Sequence, residues 1–146
     1  MFRHILIPVD GSAVSKRIVQ QGAAMARLCL AKLFVVHVIS PVRSTDFGSA
    51  LVACQLHDQA KANAKHYLDE ARSVAEEVGV PMECETISGY PPHEAIVRTV
   101  AKKGCDLIIM GSHGRRGIAR LLLGSETYSV LLRSDVPVMV ISVASL

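Results

Sequence analysis

An alternation of short apolar runs with longer helical patterns limits how this chain can fold more than any other feature. The runs are rich in Val, Ile and Leu and are too short for helices. They predict five strands, at Ile5–Val9, Leu33–Ile39, Glu83–Ile87, Asp106–Met110 and Val136–Ile141. Helices are predicted from the Asp10-Gly11-Ser12 turn to Leu30, and over Ala60–Val78, Pro91–Lys103 and Ser125–Arg133. The order βαβαβαβαβ predicts an α/β fold with an open parallel sheet and helices on both faces.

The composition agrees with a single domain of this kind. The chain has 146 residues, of which 50% are apolar, 20% charged and only 4% aromatic. A chain of this length forms one core rather than two. A core of Val, Ile, Leu and Ala suits parallel strands that are buried on both faces. Because no linker or internal repeat divides the sequence, residues 1–146 are interpreted as one domain.

Local residue chemistry refines these elements. Pro8 has no amide hydrogen and is therefore expected at the carboxyl end of the first strand, where pairing stops. The alternation of polar and apolar residues over Glu83–Ile87 is typical of a strand near a sheet edge. Ser40–Leu56 contains Pro, Gly and Ser without a clear period, which predicts a loop with a possible short helix. Ser125 is the expected N-cap of the last helix.

The sequence argues against several classes of protein. Mean hydropathy is +0.34, but no apolar stretch approaches the roughly 18 residues of a membrane span, and the opening residues lack a signal-peptide pattern. We therefore expect a cytoplasmic protein outside the membrane. The four cysteines and six histidines show no metal-binding spacing. The absence of GxGxxG, GxxxxGK[S/T] and GxSxG argues against a dinucleotide Rossmann site, a P-loop ATPase and a hydrolase.

Positive charge is concentrated in the last third of the chain. The net charge of +3 is too small to indicate binding to nucleic acid. From Arg98 to Arg133, however, seven basic residues stand against two acidic ones. This local excess suits a small anionic ligand, although a solvated basic surface accounts for it equally well.

The densest group of chemistry-bearing residues follows the fourth predicted strand. It reads Gly111-Ser112-His113-Gly114, nine further residues, and then Gly124-Ser125-Glu126. Glycines let backbone amides approach a ligand, and the start of a helix offers unpaired amides and the positive end of its dipole. The pattern predicts a cradle for an oxyanion. A plain turn before a helix explains the same spacing about equally well.

The spacing G-x2-G-x9-G-[S/T], met by Gly111, Gly114, Gly124 and Ser125, resembles the nucleotide-binding signature of ATP-binding universal stress proteins. The opening ILIPVDGS and the ending SDVPVMVI are similar to the first and last strands of the same family, so the resemblance covers nearly the whole chain. It implies a sheet order of 3-2-1-4-5 and ATP, with Mg²⁺, as the ligand. It also implies a nucleotide-dependent regulatory dimer rather than an enzyme.

The resemblance also implies which residues contact the nucleotide. They are Pro8, Asp10, Val38, Met110, Gly111, His113, Gly114, Gly124, Ser125 and Glu126. Within this set, Asp10 and Val38 are expected near the adenine, and Ser125 near the phosphates or a phosphate-bound Mg²⁺. Taken from the residues alone, Asp10 in Asp-Gly-Ser is more commonly a turn or capping residue, and that interpretation stays open.

Two segments depart from the family pattern. Glu126 stands where the family more often has a small or apolar residue, and its carboxylate would compete with phosphate for the N-terminus of the last helix. Ser40–Leu56 does not align with the family and would either cover or block the site. Both features favour an alternative, a nucleotide-free module that binds a partner. A slow ATPase also stays open, because hydrolysis needs only a water near a magnesium-bound phosphate.

The last predicted strand indicates self-association. Val136–Ile141 is apolar on both faces, yet the order 3-2-1-4-5 leaves one of its edges unpaired. Pairing with the same strand of a second copy about a twofold axis would cover that edge. A homodimer through this strand is therefore predicted.

Overall fold

Strands and helices alternate along the residues that the computed structural model describes, which are 1–41, 48–112 and 123–142. The strands are β1 (His4–Pro8), β2 (Lys32–Ile39), β3 (Met82–Ser88), β4 (Leu107–Gly111) and β5 (Val138–Ile141). The helices are α1 (Ala13–Cys29), α2 (Ala50–Val78), α3 (Pro92–Lys103) and α4 (Ser125–Arg133). The predicted order of elements is confirmed.

The five strands form one parallel sheet in the order β3-β2-β1-β4-β5. This confirms the predicted order and the edge position of β3. Strand β1 pairs with β2 along its whole length, up to Pro8, but its paired residues with β4 are Ile5 and Leu6. The two central strands therefore part toward their carboxyl ends. Strand order reverses at this point, where open α/β sheets commonly bind ligands.

Side chains of the central strands alternate between two cores, because successive strand residues point to opposite faces of the sheet. On one face, Ile5 and Ile7 pack with buried side chains of α1 and α2. On the other face, Leu6 packs with Ile96 of α3 and Val130 of α4. Helices on both faces, as predicted, explain why these strands read as continuous apolar runs.

Helix α2 begins earlier than the sequence indicated. The sequence predicts a loop with a possible short helix over Ser40–Leu56, of which residues 42–47 lie outside the described residues. The long helix α2 already starts at Ala50, and the hydroxyl of Ser49 accepts a hydrogen bond from the Val52 amide at 3.2 Å. The first buried residue of α2 is Ala64. Its opening turns therefore carry no buried apolar stripe, and the periodicity that identifies a helix is missing there.

Most other boundaries differ from prediction by one or two residues. Two of these differences concern α4 and β5. The N-cap of α4 is Gly124 rather than Ser125, so this helix begins on a residue that has no capping oxygen. Strand β5 begins at Val138 rather than Val136. The hydroxyl of Ser134 donates to the Val136 carbonyl at 2.7 Å and accepts from the Val136 amide at 3.2 Å. These bonds hold Val136 in a turn before the strand.

Within the described ranges, no helix is long and apolar enough to cross a membrane. All four cysteines fall in these ranges and are unpaired. Burial raises the pKa of the Cys105 thiol to about 11, so this side chain stays protonated and packs as part of the core.

Candidate functional site

A cavity of about 410 Å³ opens beyond the carboxyl ends of β1 and β4. Helix α1 forms one side, and the first turns of α3 and α4 form the other. Its size is within the range of small-molecule sites. The lining residues are Pro8, Val9, Asp10, Ser12, Val14, Ser15, Ile18, His37, Val38, Pro92, Ile96, Met110, Gly111, Gly124, Ser125, Glu126 and Thr127.

The structure brings together the eight predicted site residues that it describes. Pro8, Asp10, Val38, Met110, Gly111, Gly124, Ser125 and Glu126 all line this one cavity. His113 and Gly114, the other two predicted contacts, lie outside the described residues. Residues remote in sequence thus meet at the point where the strand order reverses.

The turn between β1 and α1 is closed by its own side chains. Asp10 Oδ1 accepts a hydrogen bond from the Ser12 amide at 2.9 Å, and Ser12 Oγ accepts one from the Ser15 amide at 3.0 Å. The Asp10 amide donates to Ser15 Oγ at 3.1 Å. Asp10 therefore has the turn role that the sequence left open, while its side chain also borders the cavity.

Gly11, at the centre of this turn, is required by its conformation and by close packing. Its φ is +80°, a region that residues with a side chain rarely adopt, and a Cβ placed there would lie within 2.6 Å of three ring atoms of Tyr67. The Asp-Gly-Ser sequence thus encodes a tight turn that leads into a capped helix.

The N-terminus of α4 is built in another way. Its N-cap, Gly124, has no side chain that can accept from the first-turn amides, which no carbonyl of the helix reaches. The φ of −58° and ψ of 146° at Gly124 suit any residue. Backbone conformation therefore does not require glycine here. Glycine instead leaves the amide end of the helix without a capping side chain among the described residues, and the first residues of α4 border the cavity.

Three hydrogen bonds fix this helix end to the sheet. The Gly124 amide donates to the Ser112 carbonyl at 2.6 Å, and the buried Thr127 hydroxyl donates to the Gly111 carbonyl at 2.8 Å. The Ser112 amide in turn donates to the Ile141 carbonyl of β5 at 3.0 Å. The first turn of α4 is therefore positioned before any ligand arrives, which reduces the cost of binding.

The carboxylate of Glu126 binds the N-terminus of α3. Its Oε2 accepts hydrogen bonds from the His93 amide at 2.8 Å and from His93 Nδ1 at 3.1 Å. The N-cap of α3 is Pro91, which has no side-chain acceptor, so Glu126 supplies one from another helix. The expectation that Glu126 would occupy the N-terminus of its own helix is therefore wrong. Its side chain remains 44% exposed.

The set of predicted contacts omits several residues that line the cavity walls. They are Val9, Ser12, Val14, Ser15, Ile18, His37, Pro92, Ile96 and Thr127. His37 lies inside β2, and its Nδ1 donates to the Val9 carbonyl at 2.7 Å. Helical spacing was the available signal for Ser15 and Ile18, because residues three apart share one face of α1.

The chain matches the universal stress protein family model over residues 1–142. Universal stress protein MJ0577 of Methanocaldococcus jannaschii is 29% identical, across 97% of this chain and 95% of its own length. Its solved structure aligns with a TM-score of 0.85, over 100% of this chain and 99% of that one. Universal stress protein YxiE of Bacillus subtilis is 30% identical, across 97% and 99% of the two chains.

A further solved structure is a universal stress protein in complex with cAMP. It has a TM-score of 0.74 and 25% identity, over 97% of both chains. The family match covers residues 1–142, and the relatives named above align over 95% or more of their own length. The chain therefore belongs to the universal stress protein family.

Proposed function

We propose that this chain is an ATP-binding universal stress protein that works in the cytoplasm as a nucleotide-dependent regulatory dimer. The observation that carries the proposal is the fixed N-terminus of α4 at the edge of the cavity, which no side chain of the described residues caps. Such a helix end favours an anion through its unpaired amides and its dipole. Nucleotide occupancy would then stabilise the conformation in which α3, α4 and the sheet edge are held together.

The rest of the cavity suits a nucleoside. Val38, Met110 and Ile96 offer apolar surface for a base, and the Asp10 carboxylate is an acceptor for an amino or hydroxyl group. The complex of a related universal stress protein with cAMP supports adenine nucleotides as the ligand class. Phosphate contacts by Gly114 and a contact by His113 remain predictions.

Magnesium is proposed to enter with the phosphates. Among the described residues, no group of three His, Cys, Asp or Glu side chains is placed to hold a metal ion. The hydroxyl of Ser125, the first residue of α4, is the side-chain oxygen beside the proposed phosphate position. It would complete the coordination of an ion already bound by phosphate oxygens.

We do not assign a catalytic activity. The titratable side chains that line the cavity in the described residues are Asp10, His37 and Glu126. Each is bound to the main chain, at the Ser12 amide, the Val9 carbonyl and the His93 amide respectively. None is poised beside a nucleophile in the way that general-base catalysis requires.

The dimer is proposed to form through β5. Within the described part of the chain this strand pairs on one side, with β4, and Met139 on it is 36% exposed. Two further apolar side chains, Leu131 and Leu132, are exposed on the preceding helix. Pairing of β5 with its copy about a twofold axis would cover this apolar edge.

One observation favours the alternative, a module that binds a partner protein. The first turns of α2 extend beyond the core and expose Leu51, Val52 and Leu56. An apolar patch of this kind is typical of an interaction surface. The patch is also compatible with nucleotide binding, so an experiment is needed to distinguish the two functions.

The test is to denature the purified protein, chromatograph the supernatant for released nucleotide, and titrate magnesium ATP by calorimetry. We expect an adenine nucleotide in the supernatant or a saturable binding heat. Gly124→Val should abolish binding and leave the fold intact, because valine fits the backbone conformation but covers the amides. Ser129→Ala, in the same helix but outside the cavity lining, is the matched control. A clean supernatant and no heat at millimolar nucleotide would contradict the proposal.

A further inference from the structure

We infer that Glu126 limits the negative charge accepted at the phosphate end of the cavity. The site then takes a nucleoside monophosphate, or a triphosphate neutralised by a divalent cation, in preference to a free triphosphate. The inference rests on the proposed nucleotide site and assigns a specificity-determining residue within it.

Glu126 is fixed next to the position proposed for phosphate. It is the second residue of α4 and borders the cavity beside Gly124 and Ser125. Two donors of His93, the amide and Nδ1, bind its Oε2 at 2.8 and 3.1 Å. These bonds hold the carboxylate to α3, so it does not swing freely into solvent when an anion enters.

Few charges in the described residues offset this carboxylate. Glu126 is the acidic residue of the first turn of α4, and the basic residue of that helix, Arg133, is in the last turn. On the facing helix, His93 contacts Glu126 and the next residue is the acid Glu94. The basic residues of that helix are Arg98, in its middle, and Lys102 and Lys103, in its last turn. The dipoles of two helix N-termini supply the compensating positive charge, about half a unit each.

Each negative charge added to a ligand therefore meets both attraction from the amides and repulsion from Glu126. Because the Glu126 side chain is 44% exposed, water screens the repulsion. Exposed charge pairs of this kind change an equilibrium roughly two- to three-fold for the nearest phosphate, and phosphates farther from the carboxylate contribute less. The affinity for adenosine, which carries no phosphate, should not depend on the carboxylate, whereas the affinity for free ATP should depend on it most.

The test is a calorimetric titration of adenosine, AMP and ATP, with ATP measured both in EDTA and with Mg²⁺. Glu126→Gln removes the charge and keeps an oxygen that can accept from the His93 amide. We expect free ATP to bind this variant about five- to ten-fold more tightly than the unmodified protein, AMP about two- to three-fold, and adenosine equally. The change in affinity for magnesium ATP should be close to the change for AMP rather than to the change for free ATP.

Glu94→Gln is the matched control, because it removes the same charge from the first turn of α3 at an exposed position that does not line the cavity. It should leave the ratio of ATP to adenosine affinity within about two-fold of the original. Thermal unfolding checks that both variants fold. If Glu126→Gln does not fold, Glu126→Ala removes the same charge, and the ratio of ATP to adenosine affinity is measured in that variant.

The possible failures are distinguishable. Equal changes for adenosine, AMP and free ATP in the Glu126 variant would overturn the inference while leaving the nucleotide site in place. Binding of none of these ligands to either protein would overturn the proposed function, and the inference with it.

Discussion

Helices α1 and α4 both begin at the edge of the cavity, but they differ in what satisfies their first amides. At α1, the side chains of Asp10 and Ser12 accept from the backbone amides of the turn. At α4, the N-cap is Gly124, which offers no acceptor. A helix end that is closed by its own side chains leaves no place for an anion, whereas one without a cap is open to a ligand oxygen.

The facing helix, α3, supports this distinction. Its N-cap also lacks an acceptor, but Glu126 supplies one from α4. Of the three helix N-termini at the cavity, two are therefore closed by protein oxygens. In place of glycine, a capping side chain contributes only a few tenths of a kcal/mol to stability, so α4 forgoes roughly that amount while no side chain caps its end. A phosphate oxygen at this position would restore it.

The largest expected effect comes from closing the open helix end. Gly124→Asp places a preferred capping residue in a conformation that suits it. It should weaken binding of ATP by at least about 100-fold, because the carboxylate occupies the amides and repels phosphate. Stability should rise by only a few tenths of a kcal/mol. Calorimetry and urea unfolding measure the two quantities.

Gly124→Ala is the control for this change, since it adds a methyl group without an acceptor. It should weaken ATP binding less than Gly124→Asp does. Unchanged ATP affinity in the Asp variant would mean that the phosphates do not lie at α4.

An intermediate effect is expected from opening the closed helix end. Ser12→Ala removes the hydroxyl that accepts from the Ser15 amide at 3.0 Å. The free energy of unfolding should fall by about 1 kcal/mol, while the ratio of ATP to adenosine affinity stays the same. Urea unfolding and paired titrations test this. If the variant lost affinity for ATP but not for adenosine, the phosphates would lie at the N-terminus of α1 rather than at that of α4.

The smallest effect is expected from pH, through a residue at the opposite end of the sheet. Burial, followed by the positive charge of Lys32, lowers the pKa of His4 below 6.5. His4 Nδ1 donates to the Lys103 carbonyl at 3.2 Å, and the buried Nε2 has no partner in the described residues. Nearby Glu83 and Asp106 oppose the shift.

The sign of the pH effect follows from this direction. The folded protein takes up a proton on His4 at a lower pH than the unfolded chain, which does so near pH 6.5. The contribution of His4 is therefore present above pH 6.5 and is lost as the pH falls below it. As the pH falls from 7.5 to 5, urea unfolding should show a loss of unfolding free energy that is smaller in His4→Gln than in the unmodified protein. The ratio of ATP to adenosine affinity should be unchanged in that variant. An equal loss in both proteins would contradict the role of His4.

The fold was largely predictable because its signals are local and strong. Apolar runs such as Leu33–Ile39 identify the buried strands, and Gly79 and Gly104 end helices in the left-handed conformation. The first turns of α2 were missed because no residue before Ala64 is buried. A helix that does not pack against the core leaves no periodic pattern in its sequence.

The site was predictable as a location but not as a set of contacts. The glycine spacing identified Gly124 and Ser125, which do border the cavity. The bond between Glu126 and the His93 amide joins residues 33 positions apart, so it depends on how α3 and α4 pack. Sequence spacing alone does not show which helix end a carboxylate will cap.

The most direct test of the central claim is to follow the backbone amides of ¹⁵N-labelled protein by NMR during titration with AMP and, separately, with adenosine. Subtracting the adenosine shifts isolates the effect of the phosphate. The phosphate-dependent shifts should be largest at the amides of Ser125, Glu126 and Thr127, and small at Ser12 and Ser15. Larger shifts at Ser12 and Ser15, or none at the start of α4, would contradict the claim that phosphate binds the open helix end.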